Sequence, residues 1–159
     1  MPGPVFIVPS ERIEDFEAEL EVIGERSQHL EPVLQDIVDK ILERNRRMYE
    51  TRGATSGVYW TPLRGSTITR KQNLGVSHPF DPLRRFNDLM KSLSVRGAEH
   101  QELDVDDDGI RLASTHPAAG YHASGTRKMP RRPPMVIAAK HAHEYVGDLN
   151  DFIFGEENG

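Results

Sequence analysis

From Ile13 to Met48 apolar residues recur at steps of three and four: Ile13, Phe16, Leu20, Ile23, Leu30, Leu34, Ile37, Ile41 and Met48, with Ser27 and Arg44 filling the same phase. An α-helix turns once in about 3.6 residues, so this spacing draws one apolar stripe down a helical face. Pro32 interrupts it. A proline inside a helix loses a hydrogen bond and collides with the preceding turn, whereas in a first turn it is harmless. The stripe therefore predicts two helices, about 10–27 and 31–52. Ser10 is a suitable start for the first, because its hydroxyl can accept from an orphan amide and the acids that follow suit the helix dipole. One kinked helix that pairs with another subunit as a coiled coil is the alternative; core-facing amphipathic helices are the commoner use of such a pattern.

Residues 53–75 are rich in Gly, Thr, Ser and Arg, contain the single tryptophan, Trp60, and lack helical periodicity. They read as an extended loop, long enough to be functional or to order only beside a neighbour. Residues 82–93 regain a helical pattern through Leu83, Phe86, Leu89, Met90 and Leu93, with Asp81 and Pro82 as cap and first-turn residue. Segments 92–95, 101–105 and 110–114 alternate as strands do, and Asp106-Asp107-Asp108-Gly109 supplies the turn of a hairpin. A short helix in 116–124, a basic proline-rich arm at 125–134, a last strand at 135–138 and a final helix at 140–154 complete the reading, with a frayed tail at 155–159. The expected fold class is α+β: an antiparallel sheet of about four strands, amino-terminal helices, a long loop ordered on assembly and a carboxy-terminal helix. The 159 residues, 36% hydrophobic, suffice for a single domain with a helical segment at 1–52 and an α+β core at 53–154.

The absence of cysteine excludes disulfides and thiolate metal sites. No apolar run is long enough to span a membrane, and residues 1–9 are too short for a signal peptide, so a soluble protein without an export address is expected. The net charge of −5 is unevenly distributed. Residues 1–50 carry twelve acids and six Lys/Arg, 51–100 carry three and eight, and 101–159 carry ten and six. An acidic total argues against a free-standing DNA-binding protein, while a basic middle between acidic ends suits association with neighbours.

Candidate chemistry is sparse. His141 and His143, or His116 with His122, could be metal ligands, but residues two apart share a face only in a strand, and surface or interface histidines are the simpler reading. Asp104, Asp106 and Asp108 have calcium-loop spacing, yet the twelfth position is Thr115 rather than glutamate, which favours a solvated hairpin turn. No nucleophile elbow, nucleotide cradle or metalloprotease spacing is present, so neither an enzyme nor a cofactor is expected. From Gly109 to His143 there is no acid, while Arg111, Arg127, Lys128, Arg131, Arg132 and Lys140 are all present. These are either solvated surface charges or an arm that reaches the acidic helix of an adjacent subunit or lines a channel for DNA.

Trp60-Thr61-Pro62-Leu63, Thr67 and Lys71 match a "W-x-P-L-x-x-x-T-x-x-x-K" pattern that resembles the phage virion morphogenesis (tail completion) family. Leu83 through Leu89 with Ser92-Leu93 resembles that family's next segment, with Asn87 near its usual glycine; Gly120 through Thr126 resembles its "Y-A-x-x-H-Q-x-G" stretch, and Met129 through Pro134 its "I-P-A-R-P-F" element. The resemblance covers about 31–154. It implies a structural protein of the virion neck or tail, made in the host cytoplasm, that joins heads to tails as a homo-oligomeric ring, a hexamer by its tail-end position. Its neighbours would be connector, stopper and tail terminator proteins, with non-specific contact to passing DNA and none to membrane. Trp60, Pro62, Leu63, Lys71, Arg127, Lys128, Arg131 and Arg132 are then the interface candidates. Trp60 reads most simply as a packed anchor for its loop, and otherwise as an exposed hot spot. A nucleic-acid-binding accessory protein and, more weakly, a histidine-based metal-dependent hydrolase are the competing functions; salt-dependent DNA affinity and stoichiometric zinc would reveal them.

Overall fold

The computed structural model describes residues 10–155. Residues 1–9 and 156–159, and with them most of the tail expected to fray, lie outside the described residues, as do the side chains of Ser10, Glu11, Arg12, Ile13 and Phe16. Helix α1 spans Ser10–Gln28 and α2 Glu31–Glu50, with Pro32 in the first turn of α2 where its missing N–H costs nothing. A 3-10 turn at Ala54–Ser56 leads to α3 at Gly65–Asn73 and α4 at Asp88–Ser94. Strands β1 (Gln101–Asp106) and β2 (Gly109–Ser114) form a hairpin, followed by α5 (Ala118–Ser124) and α6 (Ala139–Phe154).

Helix α2 is the axis of the fold. Val33, Leu34, Ile37, Val38, Ile41, Leu42, Asn45, Met48 and Tyr49 are buried along it, so its apolar face meets protein over its full length. Each aliphatic side chain taken fully out of water contributes about 1.5–3 kcal/mol. Two cores share this helix. Its amino-terminal half packs with Tyr145, Leu149 and Phe152 of α6 and with Val105, Ile110 and Leu112 of the hairpin. Met48 and Tyr49 at its other end pack with Trp60, Val58, Leu83, Met90 and Val136. Polar contacts fix the elements against it: Lys40 reaches Asp148 at 2.7 Å, Arg96 reaches Asp39 at 2.8 Å, and buried Asn45 donates from Nδ2 to the Leu93 carbonyl at 2.8 Å.

The hairpin turn has two tasks. Asp106 Oδ1 accepts from the Asp108 and Gly109 amides at 2.9 and 3.0 Å, which closes the turn. Asp107 Oδ1 accepts from the Glu31 amide at 2.9 Å, so a residue distant in sequence satisfies an orphan donor at the start of α2.

Several expectations are corrected. Among the described residues the sheet has two strands, not about four, in the antiparallel register Gln101 with Ser114 through Asp106 with Gly109. Segment 92–95 ends α4 instead: Leu89 and Leu93, one helical turn apart, are both buried against α2, and four apolar-alternating residues fit either period. Segment 135–138 is extended but pairs with no strand; Val136 goes into the core beside Met48. The helix expected over 82–93 is confined to Asp88–Ser94, because Leu83 and Asn87 adopt φ of +63° and +65°, outside the right-handed helical region. The 53–75 segment, expected as one extended loop, contains the 3-10 turn, an irregular stretch that carries Trp60, and α3.

Candidate functional site

The site grows from a turn that only glycine can make. Gly53 has φ of +91°, and a Cβ there would lie 1.7 Å from the Val58 carbonyl oxygen. The tight fold lets the Val58 amide donate to Gly53 O at 3.1 Å and the Trp60 amide to Arg52 O at 3.0 Å. Trp60 is thereby placed edge-on to Tyr49, ring centres 5.1 Å apart, and is 5% exposed.

Beyond Trp60 two distant segments are sewn together. The indole Nε1 donates to the Pro133 carbonyl at 3.1 Å. In return Arg132, itself 5% exposed, donates from Nε to Thr61 O at 2.7 Å and from Nη2 to Pro62 O at 3.0 Å. Its guanidinium is held by carbonyls alone, and burial pulls its pKa below the ordinary value although arginine stays charged. The arm at 125–134 is thus anchored rather than free: Thr126 and Met129 bridge, and the Arg132 amide donates to His122 O at 2.9 Å.

Lys71 secures the next segment. Its buried ammonium donates to the His78 and Asp81 carbonyls at 2.9 and 2.7 Å, and burial lowers its pKa. Asp81, expected to cap a helix, instead accepts from Arg52 at 2.9 Å and lies 3.4 Å from Arg84. Arg84 in turn donates from Nε to Asn87 Oδ1 at 3.0 Å, bracing the left-handed turn that precedes α4.

These constraints enclose a cleft of about 510 Å³ between α3, the 83–89 segment, α5 and the arm. Arg64, Arg70 and Lys71 come from the α3 side, Arg84 and Arg85 from the segment opposite, and Lys128 and Arg132 from the arm. Asp88 is the one carboxylate among the described lining residues. Arg64, Arg70, Arg85 and Lys128 form no ion pair among the described residues. Between the cations lie Leu63, Leu74, Leu83, Phe86 and Met129, with Leu74 and Phe86 more than half exposed. A smaller cavity of about 400 Å³ adjoins it, lined by Pro62, Arg64, Arg127, Lys128 and Arg132 among others.

Of the eight residues singled out in the sequence, Leu63, Lys71, Lys128 and Arg132 line the main cleft, and Pro62 and Arg127 line its neighbour. Trp60 stands behind the wall, and Arg131 lies outside both cavities, exposed, with its Nε donating to Ala123 O at 2.8 Å. Sequence reading missed Arg64, Arg70, Arg84 and Arg85. The excess of eight basic residues over three acids in 51–100 was their signal, but nothing in the pattern indicated which would converge.

His116 and His122 also line the cleft. Burial, then the charges of Arg132 and His116, lowers the His122 pKa to about 4, so its ring is neutral at pH 7. Among the described residues no three His, Cys, Asp or Glu side chains converge as a metal site. The arrangement suits an anion with apolar flanks: arginines can take carboxylate or phosphate oxygens in pairs, and the half-exposed leucine and phenylalanine can cover hydrocarbon. No family model, curated protein or solved structure matches the chain.

Proposed function

We propose that this chain is a structural, non-enzymatic subunit of a tailed bacteriophage particle, acting at the joint between head and tail, and that the basic cleft is the surface that holds it in the assembly. The observation that carries this reading is the meeting of two of the four segments that resemble tail completion proteins. Trp60-Thr61-Pro62-Leu63 and Met129 through Pro134 are joined by the Trp60, Arg132 and Pro133 hydrogen bonds, and Leu63 of the one with Met129, Pro130 and Arg132 of the other line one cleft. Asn87, near the family's usual glycine, has φ of +65°, a conformation that glycine adopts most easily and asparagine next.

The test is removal of the gene from the phage that carries it, followed by imaging of the lysate. Separate full heads and finished tails are expected. Normal infectious particles would sink the proposal. Complementation with Arg85→Glu and Lys128→Glu, two exposed cleft cations, should leave the subunit folded and the parts unjoined.

The density of unpaired cations also gives weight to a nucleic-acid-binding role. A protein held on DNA through several phosphate contacts loses affinity steeply with salt. Titration of the full chain against a short duplex at rising salt separates the readings, because the structural role requires no such affinity.

A further inference from the structure

Helix α1 is the part of the fold without an explanation. Seven of its residues are acidic, against Arg12 and Arg26. Asp15 and Glu19, Glu17 and Glu21, and Glu21 and Glu25 are each one helical turn apart, and like charges at that spacing work against an isolated helix. Its described side chains from Glu14 to Val22 are all exposed, including Leu20 at 50% in the apolar stripe and Val22 at 44%. The helix packs against α6 near its carboxy-terminal end, where Ile23 is half-buried. Among the described residues, none of α1 lines the basic cleft.

We propose that the cleft of one subunit receives the acidic helix α1 of a second copy of the same chain, in a head-to-tail contact that repeats around a ring. This rests on the structural role proposed above and names the occupant of its cleft. Charge complementarity selects the occupant: the α1 carboxylates from Glu14 to Glu25, which form no ion pair among the described residues, match Arg64, Arg70, Arg85 and Lys128 on another surface. Apolar matching adds to it, because Leu20 is exposed among the acids as Leu74 and Phe86 are among the cations. A volume of about 510 Å³ takes a few side chains from one face of a helix rather than the whole helix. The two surfaces use different elements, so the contact is heterologous, and such contacts close into rings or run on as filaments.

Sedimentation of the full-length chain tests this, with two variants. The first carries Glu14→Lys and Glu21→Lys, which places a Glu before a Lys at helical spacing and so favours α1 as a helix. The second carries Arg70→Gln, Arg85→Gln and Lys128→Gln at exposed positions. The wild type should associate beyond a dimer, less so at high salt, and each variant alone should lose about a hundredfold or more in association. An equal mixture of the two variants should give a one-to-one dimer that grows no further, because one sound helix and one sound cleft remain. A monomeric wild type, a mixture that stays monomeric, or a cleft variant that associates as the wild type does would each overturn the proposal, the last pointing to helix-to-helix pairing. Tight duplex binding by a monomeric wild type, lost in the cleft variant, would overturn it in favour of a phosphate backbone. If the wild type is monomeric yet gene removal still leaves heads and tails unjoined, only self-docking fails; association with normal particles after removal would sink the structural role instead.

Discussion

Helices α1 and α2 carry one continuous apolar stripe and nearly equal lengths, 19 and 20 residues, yet the fold uses them in opposite ways. Every stripe residue of α2 from Leu34 to Met48 that is apolar is buried, whereas Leu20 of α1 is half exposed. Their polar faces differ as well. On α2 Glu43 is paired with Arg46 and Arg47, which hold its carboxyl down to about 2, and Arg46 also pairs with Glu50. The acids of α1 have no ion pair among the described residues. Periodicity specifies that a helix has an apolar face; it does not specify which molecule covers it.

Mutations can sharpen or break that contrast. The largest loss is expected at the far end of α2, where Trp60→Ala removes the ring packed on Tyr49 and should cost about 3–5 kcal/mol in urea unfolding. An unchanged midpoint would mean that the second core does not depend on the tryptophan. Next, Ile37→Ala on α2 should cost about 2–5 kcal/mol, while Leu20→Ala on α1 should stay within about 0.5 kcal/mol in the monomer. Equal losses at the two sites would dissolve the distinction between a core helix and a docking helix.

Arg132→Ala should cost about 1–3 kcal/mol, because the Thr61 and Pro62 carbonyls lose a charged donor in a buried place. Its neighbour Arg131→Ala should fall within about 0.5 kcal/mol. This separates two residues that look equivalent in the sequence, and it predicts that reversing both charges disrupts the fold rather than assembly alone. Asp107→Ala, which removes the side chain that accepts from the Glu31 amide, should cost about 1 kcal/mol; no loss would show that α2 starts equally well without the hairpin turn.

A last effect depends on pH. The His122 pKa is lowered from 6.5 to about 4 on folding, so between these values the unfolded chain binds more protons than the folded one. Its contribution to stability is therefore complete above pH 6.5 and is lost as pH falls toward 4. Thermal unfolding across that window should show a decline that His122→Gln reduces; an identical decline in the variant would assign it to other groups.

Much of this was legible in the sequence where the signal is local. The two helices and their break follow from a 3.6-residue period and Pro32, and the hairpin from strand alternation around an Asp-Gly turn, because these depend on neighbours within a few residues. Short segments were not legible. Residues 92–95 and 135–138 satisfy a strand pattern for only four residues, and burial against α2 or Met48 decided their conformation.

Local pattern was enough for the helical periodicity, the Pro32 break and an excess of cations in the middle of the chain; the need for glycine at 53 came from the close approach of the Val58 carbonyl. Packing between distant segments makes Arg132 a buried clamp and leaves Arg131 at the surface, sets Lys71 between two carbonyls, and brings Arg64, Arg70, Arg85 and Lys128 around one cleft. The physical reason is range. Helix period and turn chemistry act between residues close in the chain, whereas the desolvation and convergence of charge depend on which distant segments the core brings together, here through the Trp60 and Arg132 hydrogen bonds.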